Sequence, residues 1–493
     1  MEKKNTFQRL FIFLALLIII LPACKPNMEE EETTSGDFWK NQATNQILDQ
    51  WLAKGIKEES GIFYTFMNRE WGPYRGNVKY PGMVARHIFS YSSGYMLTGE
   101  QKYLDKASEL MEFVINKGWD KKYGGWYEAI EESGGIIDDS KDLFNQIYAA
   151  SGLTMYYFVT HDTTALKYIE ETHKIIEDNA WDKEYGGYFR TLNRDLSAGN
   201  TNKPVTPQIA TISGYLLYMY LATMDKDYLD QSEKLINLIL DKMINEDYQY
   251  VQENYDRSWN YNYEEKGADT EINIGHNLET LWILLRLYDL TGKDQYLQVV
   301  NNQWEKLKKY GYEERNMAWY HRIGLEVPSL HTDATPWWIQ AYGNMMTLYY
   351  YHISGKEKHL QLFDKGAKYW NNHFIDKEYG GTVLSVNNNG KIQKGQKAVR
   401  TKTSYHSTEH GLLNYMYTNL WVKKEPVMLY FNINNAEKNE KIYPIPVEDK
   451  AIKIISVQLN GNNWDKYDSV DRSVTLPAEK NIKLKVTLHA ETK

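Results

Sequence analysis

"WDKKYGGWY" (residues 119–127) returns as "WDKEYGGYF" (181–189) and again as "IDKEYGGTV" (375–383). Between these a second phrase recurs: "TGEQKYL" from Thr98, "TTALKYI" from Thr163, "TMDKDYL" from Thr223, "TGKDQYL" from Thr291 and "SGKEKHL" from Ser354. Aligned on the closing Leu or Ile, the spacing holds at roughly 60 to 70 residues. A period of that size means stacked supersecondary units. In each unit an apolar helix runs into the T-G turn, where glycine takes the left-handed cap that ends it. A second, amphipathic helix follows, and YGG closes a short hairpin through glycines that tolerate positive φ. The apolar spacing of "LETLWILLRLYDL" (278–290) and "LLYMYLATM" (216–224) is that of a helix, not a strand.

Working outward, one helix is expected at about 37–56, and five pairs start near residues 81, 142, 206, 275 and 336. A last unpaired helix covers about 406–421. The lone first helix can pair with the lone last one, which closes six hairpins into a ring. The prediction is therefore an all-α fold, an (α/α)6 toroid of twelve helices over residues 37–425. Beyond Pro426 the character changes. "PVMLYFNI" (426–433), "IKIISVQL" (452–459) and "IKLKVTLHA" (482–490) are β-branched runs between Asn, Gly and Asp breaks. They predict a small all-β domain over 427–493.

The first residues carry an address. "MEKKNTFQR" is basic, and the apolar run "LFIFLALLIIILP" (10–22) is short for a membrane span. It ends in "LPAC" at Cys24, the only cysteine among 493 residues. Residues 1–23 are expected to be a lipoprotein signal peptide, with lipid on Cys24 and an acidic tether over 24–36. The run "NMEEEETTSGD" (27–37) resembles the export signal of Bacteroidetes surface lipoproteins. The expected location is a lipid-anchored one, periplasmic or on the outer-membrane surface of a Gram-negative bacterium. A net charge of -8 without a basic stripe argues against nucleic acid as a partner. The 40 tyrosines and 15 tryptophans suit both a toroidal core and a sugar-binding floor.

"TSYHSTEHGLL" (403–413) holds His406, Glu409 and His410 as H-x-x-E-H, the inverted zinc-protease signature. Such a site needs a third ligand downstream on a compatible fold. Only 83 residues follow His410, and they read as strands. An up-down ring offers a different reason for these histidines. Every helix that follows a hairpin starts at the same mouth of the barrel. His276 in "NIGHNLETLW" (273–282) and His406 both stand at such a start. Open backbone N–H groups and the positive helix end there favour neutral imidazole and stabilise a developing anion. Two bases near pKa 7 facing across a polar cup suit proton transfer at a carbon next to a carbonyl. No metal is assigned, and with no phosphate loop visible no obligatory cofactor is expected.

"GHNLETLWILLRLYDLTGKDQYL" (275–297), "WWIQAYGNMMTLYYYHISGKEKHL" (337–360), "FIDKEYGG" (374–381) and "YHSTEHGLL" (405–413) resemble the N-acylglucosamine 2-epimerase superfamily. That group includes N-acylglucosamine and cellobiose 2-epimerases and the aldose–ketose isomerases acting on mannose. The resemblance spans about residues 40–421. It implies that His276 and His406 are the two acid/base histidines, with Glu279 as their catalytic orienting partner. It implies that Arg86 in "GMVARHIF" (82–89) lines the sugar site and that Trp337 or Trp338 forms a stacking wall. Tyr405 and His410 complete the expected substrate-binding set, His410 as a hydrogen-bond partner one turn after His406. The implied reaction opens a sugar ring and removes the C2 proton to give an enediolate. Reprotonation at C2 yields an epimer, and protonation at C1 yields a ketose.

The chain also departs from the family. Tyr342 stands where members often carry Glu in W-W-x-Q-A-E. "TPQIA" (206–210) lacks the Asn and the two histidines of the cellobiose epimerases, and Thr401 replaces their Trp. These departures keep two other readings open. One is a toroid polysaccharide lyase using Tyr405 and His406 on a uronate C5 proton, or a hydrolase with paired carboxylates. The other is a non-catalytic glycan-binding lipoprotein. The expected partners are a mono- or oligosaccharide and, through the lipid anchor, a membrane.

Overall fold

The computed structural model describes residues 32–493 apart from 77, 246, 248, 263–270, 492 and 493. The expected signal peptide, Cys24 and most of the acidic tether lie outside the described residues. Counting each π-helical turn with the helix it continues, twelve helices follow one another among the described residues. They are α1 (36–54), α2 (Pro81–Thr98), α3 (101–118), α4 (Leu143–Thr160), α5 (163–180) and α6 (205–223). The second half comprises α7 (Lys226–Lys242), α8 (Ile274–Thr291), α9 (Asp294–Gly311), α10 (Trp337–Ser354), α11 (Glu357–His373) and α12 (405–423).

Two kinds of helix alternate, and the difference is compositional. In α2 every residue from Pro81 to Leu97 is buried, Arg86, His87 and three serines included, because neighbours cover the helix on all sides. In α3 burial is confined to Tyr103, Leu104, Ala107, Leu110, Met111, Val114 and Gly118, the stripe of a half-covered helix. The even-numbered helices pack in succession, α2 on α4 and so on, and α12 packs back on α2. Each odd-numbered helix packs on an even partner, with α1 against α12. Six inner helices thus close a ring inside an outer layer of six.

Gly99 (φ 72), Gly292 (φ 69) and Gly355 (φ 62) end α2, α8 and α10 in the left-handed region, as the T-G turns predict. At the same place α4 ends on His161 (φ 50) and α6 on Met224 (φ 57). An L side chain there costs about 1–2 kcal/mol. The fold accepts that cost in these two units and again at Lys424 (φ 56), where α12 ends.

The expectation of an all-α fold is too simple: the protein is mostly helical, with short antiparallel strand pairs among its loops. Examples are Val78–Lys79 with Ala129–Glu131, Lys203–Pro204 with Asn254–Tyr255, and Glu271–Asn273 with Arg322–Gly324. The backbone entering an inner helix has donors and acceptors to satisfy, and the neighbouring hairpin supplies them. Amide side chains in the first turn of the inner helices fix these hairpins. Gln146 accepts from Trp126 N–H and donates to its carbonyl, and Gln208 does the same for Tyr188. Asn277 holds Val251 in this way, and Gln340 accepts from Trp319 N–H.

The aspartate of the repeated phrase has its own task. Asp120 pairs with Lys141 and Arg194, Asp182 with Lys203 and Arg257, and Asp376 with Lys397 and Arg69. Burial raises each carboxyl, but the cations outweigh it and hold all three at about 2. Arg69 precedes α2 whereas Asp376 follows α11, so the third clamp joins the two ends of the ring.

From Val427 onward the chain is β. Val427–Ala436 pairs with Glu479–Ala490, which also pairs with Ile452–Leu459, and Asn462–Trp464 forms the edge. Leu429, Phe431 and Ile433 alternate inward. Phe431 lies 6.5 Å from Phe158 at the end of α4, and Asn434 donates to Asp162 at 2.8 Å. Glu448 reaches into the helices and accepts from Arg286 of α8 at 2.7 Å, with both side chains buried. The sheet therefore covers the barrel end opposite the helix starts.

Candidate active site

Each inner helix delivers its first turn to one mouth, and a cup opens there. Arg86 comes from α2, Tyr148 from α4, Thr206 and Ala210 from α6, His276 and Glu279 from α8. Trp337, Trp338 and Tyr342 come from α10, and His406 from α12. Phe144 and Thr401 complete the wall. The volume is about 170 Å³. Pockets that enclose a drug-sized ligand run to about 300–1,000 Å³. A ligand longer than one sugar ring must therefore protrude through the mouth.

The two histidines were expected to resemble each other; the structure makes them opposites. His276 Nδ1 meets Glu253 Oε1 in a short contact, and Arg322 donates to Glu253 Oε2 at 3.0 Å. Burial lowers His276, but the charge and hydrogen bond of Glu253, with Glu279 beyond, more than offset it and leave the imidazole above its ordinary pKa. Glu253 is held down at about 2: burial raises it, and His276 and Arg322 outweigh that. The Nδ1 contact leaves Nε2 as the nitrogen able to exchange a proton.

His406 has a cation for a neighbour. Its Nε2 lies 3.5 Å from Arg86 Nη2, and its buried Nδ1 has no hydrogen-bond partner. Burial, then Arg86 and His276, push its pKa well below the ordinary value. Environments that drive two titratable groups apart assign one to acid work and the other to base work.

Arg86 is itself unusual. It is buried, donates to the Thr401 carbonyl at 2.9 Å, lies 3.6 Å over the Tyr148 ring, and its Nε has no partner. Among the described residues no carboxylate forms an ion pair with it. A buried guanidinium without an acid suits an anionic or polar oxygen from outside. Glu279 accepts from Ser213 at 2.7 Å and from Tyr342 at 3.1 Å. Burial keeps its pKa raised. Tyr342 thus places a phenol hydroxyl on the Glu279 carboxylate.

The tryptophans divide. Trp337 is buried, with Lys402 Nζ 5.3 Å from its ring. Trp338 is only partly buried, and its ring centroid lies 5.2 Å from that of His276 and 6.2 Å from that of His406. Gly275 permits this, since a Cβ there would stand 2.3 Å from the Trp338 ring. Of the two tryptophans, Trp338 is the one open to a ligand.

Six of the expected residues meet at the cup: Arg86, His276, Glu279, Trp337, Trp338 and His406. Tyr405 and His410 do not line it. Tyr405 is buried beside Arg86, and its hydroxyl donates to Glu409 at 3.3 Å. His410 points away, between Trp39 and Trp370, with Nε2 3.1 Å from the Asn344 amide. Residues four apart stay on nearly the same face of a helix; His410 sits one turn farther along α12 than His406, where Trp39 of α1, Asn344 of α10 and Trp370 of α11 close around it. Separate partners dissolve the H-x-x-E-H reading: His406 meets Arg86, Glu409 meets Tyr218 and Tyr405, and His410 meets Asn344.

Glu253, Arg322 and Tyr148 escape a motif-based reading, and Tyr342 shows in it only as a departure. Glu253 and Arg322 lie in the segments between helices of two different units, 23 residues before His276 and 46 after it, and no local pattern marks them. Among the described residues Glu279 is the one carboxylate lining the cup. Glycoside hydrolysis takes a pair about 5–9.5 Å apart. The tyrosine that a lyase would use is committed to Glu409.

Comparison with known proteins agrees with this geometry. The family model for N-acylglucosamine 2-epimerase (GlcNAc 2-epimerase) matches residues 61–409. A cellobiose 2-epimerase of Bacteroides fragilis is 22% identical over 382 residues, covering 75% of this chain and 95% of that protein. The structure of cellobiose 2-epimerase from Bacillus thermoamylovorans B4167 superposes with TM-score 0.70 at 21% identity, covering 77% of this chain and 98% of that one. A D-mannose isomerase structure superposes with TM-score 0.72 at 17% identity, covering 79% and 99%.

Proposed function

Since the chain belongs to the N-acylglucosamine 2-epimerase family, we propose that its (α/α)6 toroid is a sugar 2-epimerase or aldose–ketose isomerase working through the two mouth histidines. The observation that carries this reading is the opposed pair: one imidazole raised by Glu253, the other kept neutral beside Arg86, in one cup. His406 Nε2 takes the proton from C2 of an opened aldose. The enediolate's negative charge falls to Arg86 and to the His276 imidazolium, which act as preorganised donors. Return of a proton to C2 from the opposite face gives the epimer, and protonation at C1 gives the ketose. Trp338 supports the ring, and the volume of the cup favours a reducing-end sugar whose remainder projects outward.

NMR in D2O with a panel of reducing mono- and disaccharides tests the reaction. Deuterium entering C2 is the expected result; no exchange with any sugar would sink the proposal. The pH profile tests the division of roles. His406 stays unprotonated on the acid side, so kcat/KM should not fall between pH 7 and 6. The alkaline limb follows loss of the His276 proton. Glu253→Gln removes the charge that raises His276, so that limb should move toward acid and the rate fall about 10²-fold. An unmoved limb would remove Glu253 from its positioning role.

We also propose that the protein is anchored through lipid on Cys24, a reading supported by the apolar run and the cysteine that ends it. Labelled palmitate should enter the wild type and not Cys24→Ala; equal labelling would refute the anchor.

A further inference from the structure

At the far ends of two inner helices, about 20 Å from the cup at 1.5 Å per residue, three potential ligands converge where the sheet meets the ring. Asp289 stands two residues before the end of α8, His352 two before the end of α10, and Asp449 lies just before the strand Ile452–Leu459. One ligand atom from each lies within 4.8 Å of the others. His352 Nε2 is 3.4 Å from Asp289 Oδ2 and 3.4 Å from Asp449 Oδ2. The His352 side chain is 7% exposed, and Nε2 makes no hydrogen bond despite its burial.

We propose that Asp289, His352 and Asp449 bind a divalent transition-metal ion of the zinc class, which fastens the C-terminal sheet to the helix ring. Two ligands about 2.1 Å from a tetrahedral ion stand about 3.4 Å apart, which is the separation on both imidazole edges. A nitrogen with two carboxylate oxygens is a zinc-type donor set, with water left to complete the shell. The surroundings orient each ligand. Tyr349 donates to Asp289 Oδ2 at 3.0 Å, and Trp421 donates to Asp449 Oδ2 at 3.1 Å. Trp421 also stacks on His352 with ring centroids 4.0 Å apart. Such outer partners fix a metal ligand's geometry. The two helices present their C-terminal ends, where the dipole favours a cation. The nearby guanidiniums are engaged elsewhere. Arg286 pairs with Glu448, and Arg472 donates to the carbonyls of Val447, Glu448 and Asp449.

Metal analysis of the purified full chain after equilibration with micromolar Zn²⁺ and gel filtration tests this. About one ion per chain is expected, with a melting temperature about 3 °C above that of chelator-treated protein. Co²⁺ in place of Zn²⁺ should give visible d–d bands in the wild type, a readout that needs no variant. Asp449→Asn and His352→Gln should lose the ion, while His276→Asn keeps it. Less than a tenth of an equivalent with unchanged melting would overturn the proposal. Loss of the ion in His276→Asn would overturn it too, because the metal would then sit in the cup.

Discussion

Exchange of the C2 proton is expected to fall about 10³-fold in His406→Asn, with the fold and melting temperature unchanged. The magnitude is that of removing a positioned general base. Asparagine is the informative replacement, because it removes Nε2, the nitrogen beside Arg86, without adding bulk to the cup. What disappears is a nitrogen able to take a proton. KM should change by less than a few-fold, since the side chain's shape is largely kept and the lost interaction belongs to the transition state. His276→Asn should cost a similar factor, and Glu253→Gln a smaller one. Retention of more than a tenth of wild-type exchange in His406→Asn would mean that another group removes the proton.

Glu448→Ala is expected to destabilise the protein by about 3–5 kcal/mol, the cost of leaving one member of a buried ion pair without the other. Arg286 would then lie charged between Trp282 and Tyr218 with no acid on it. Denaturant unfolding, followed together with proteolysis of the C-terminal sheet, reads the effect. The sheet should become cleavable under conditions where the wild type is intact. The double change Arg286→Met with Glu448→Leu should recover most of the loss, because replacing both partners by apolar groups removes the desolvation penalty along with the attraction. A loss under about 1 kcal/mol in Glu448→Ala would mean that water reaches Arg286 and that the sheet is held by its apolar face alone.

These two experiments address features of different legibility. His406 is visible in the chain as a histidine at the start of the last inner helix, and so is His276 at the start of the fourth. Glu448 is one acidic residue in a loop between strands, with nothing to mark it. Likewise, the aspartate in "WDKKYGG" repeats visibly, but its Lys and Arg partners are revealed only when hairpins of neighbouring units meet.

The period of the repeats, the alternation of apolar and amphipathic helices, and the placing of both histidines at one mouth are written locally. Each depends on residues within a helix turn or a hairpin, where spacing alone sets which face is buried. The characters of the two histidines are not. One is raised and the other lowered by charges from α2, from the segments around Glu253 and Arg322, and from each other. The fate of H-x-x-E-H was decided in the same way, by which neighbour each side chain met once the ring had closed. Electrostatic fields act through space and fade over a few ångströms in a screened medium, so they answer to distance between atoms and not to distance along the chain. Only the closed ring brings residues 86, 253, 276, 322 and 406 within that range.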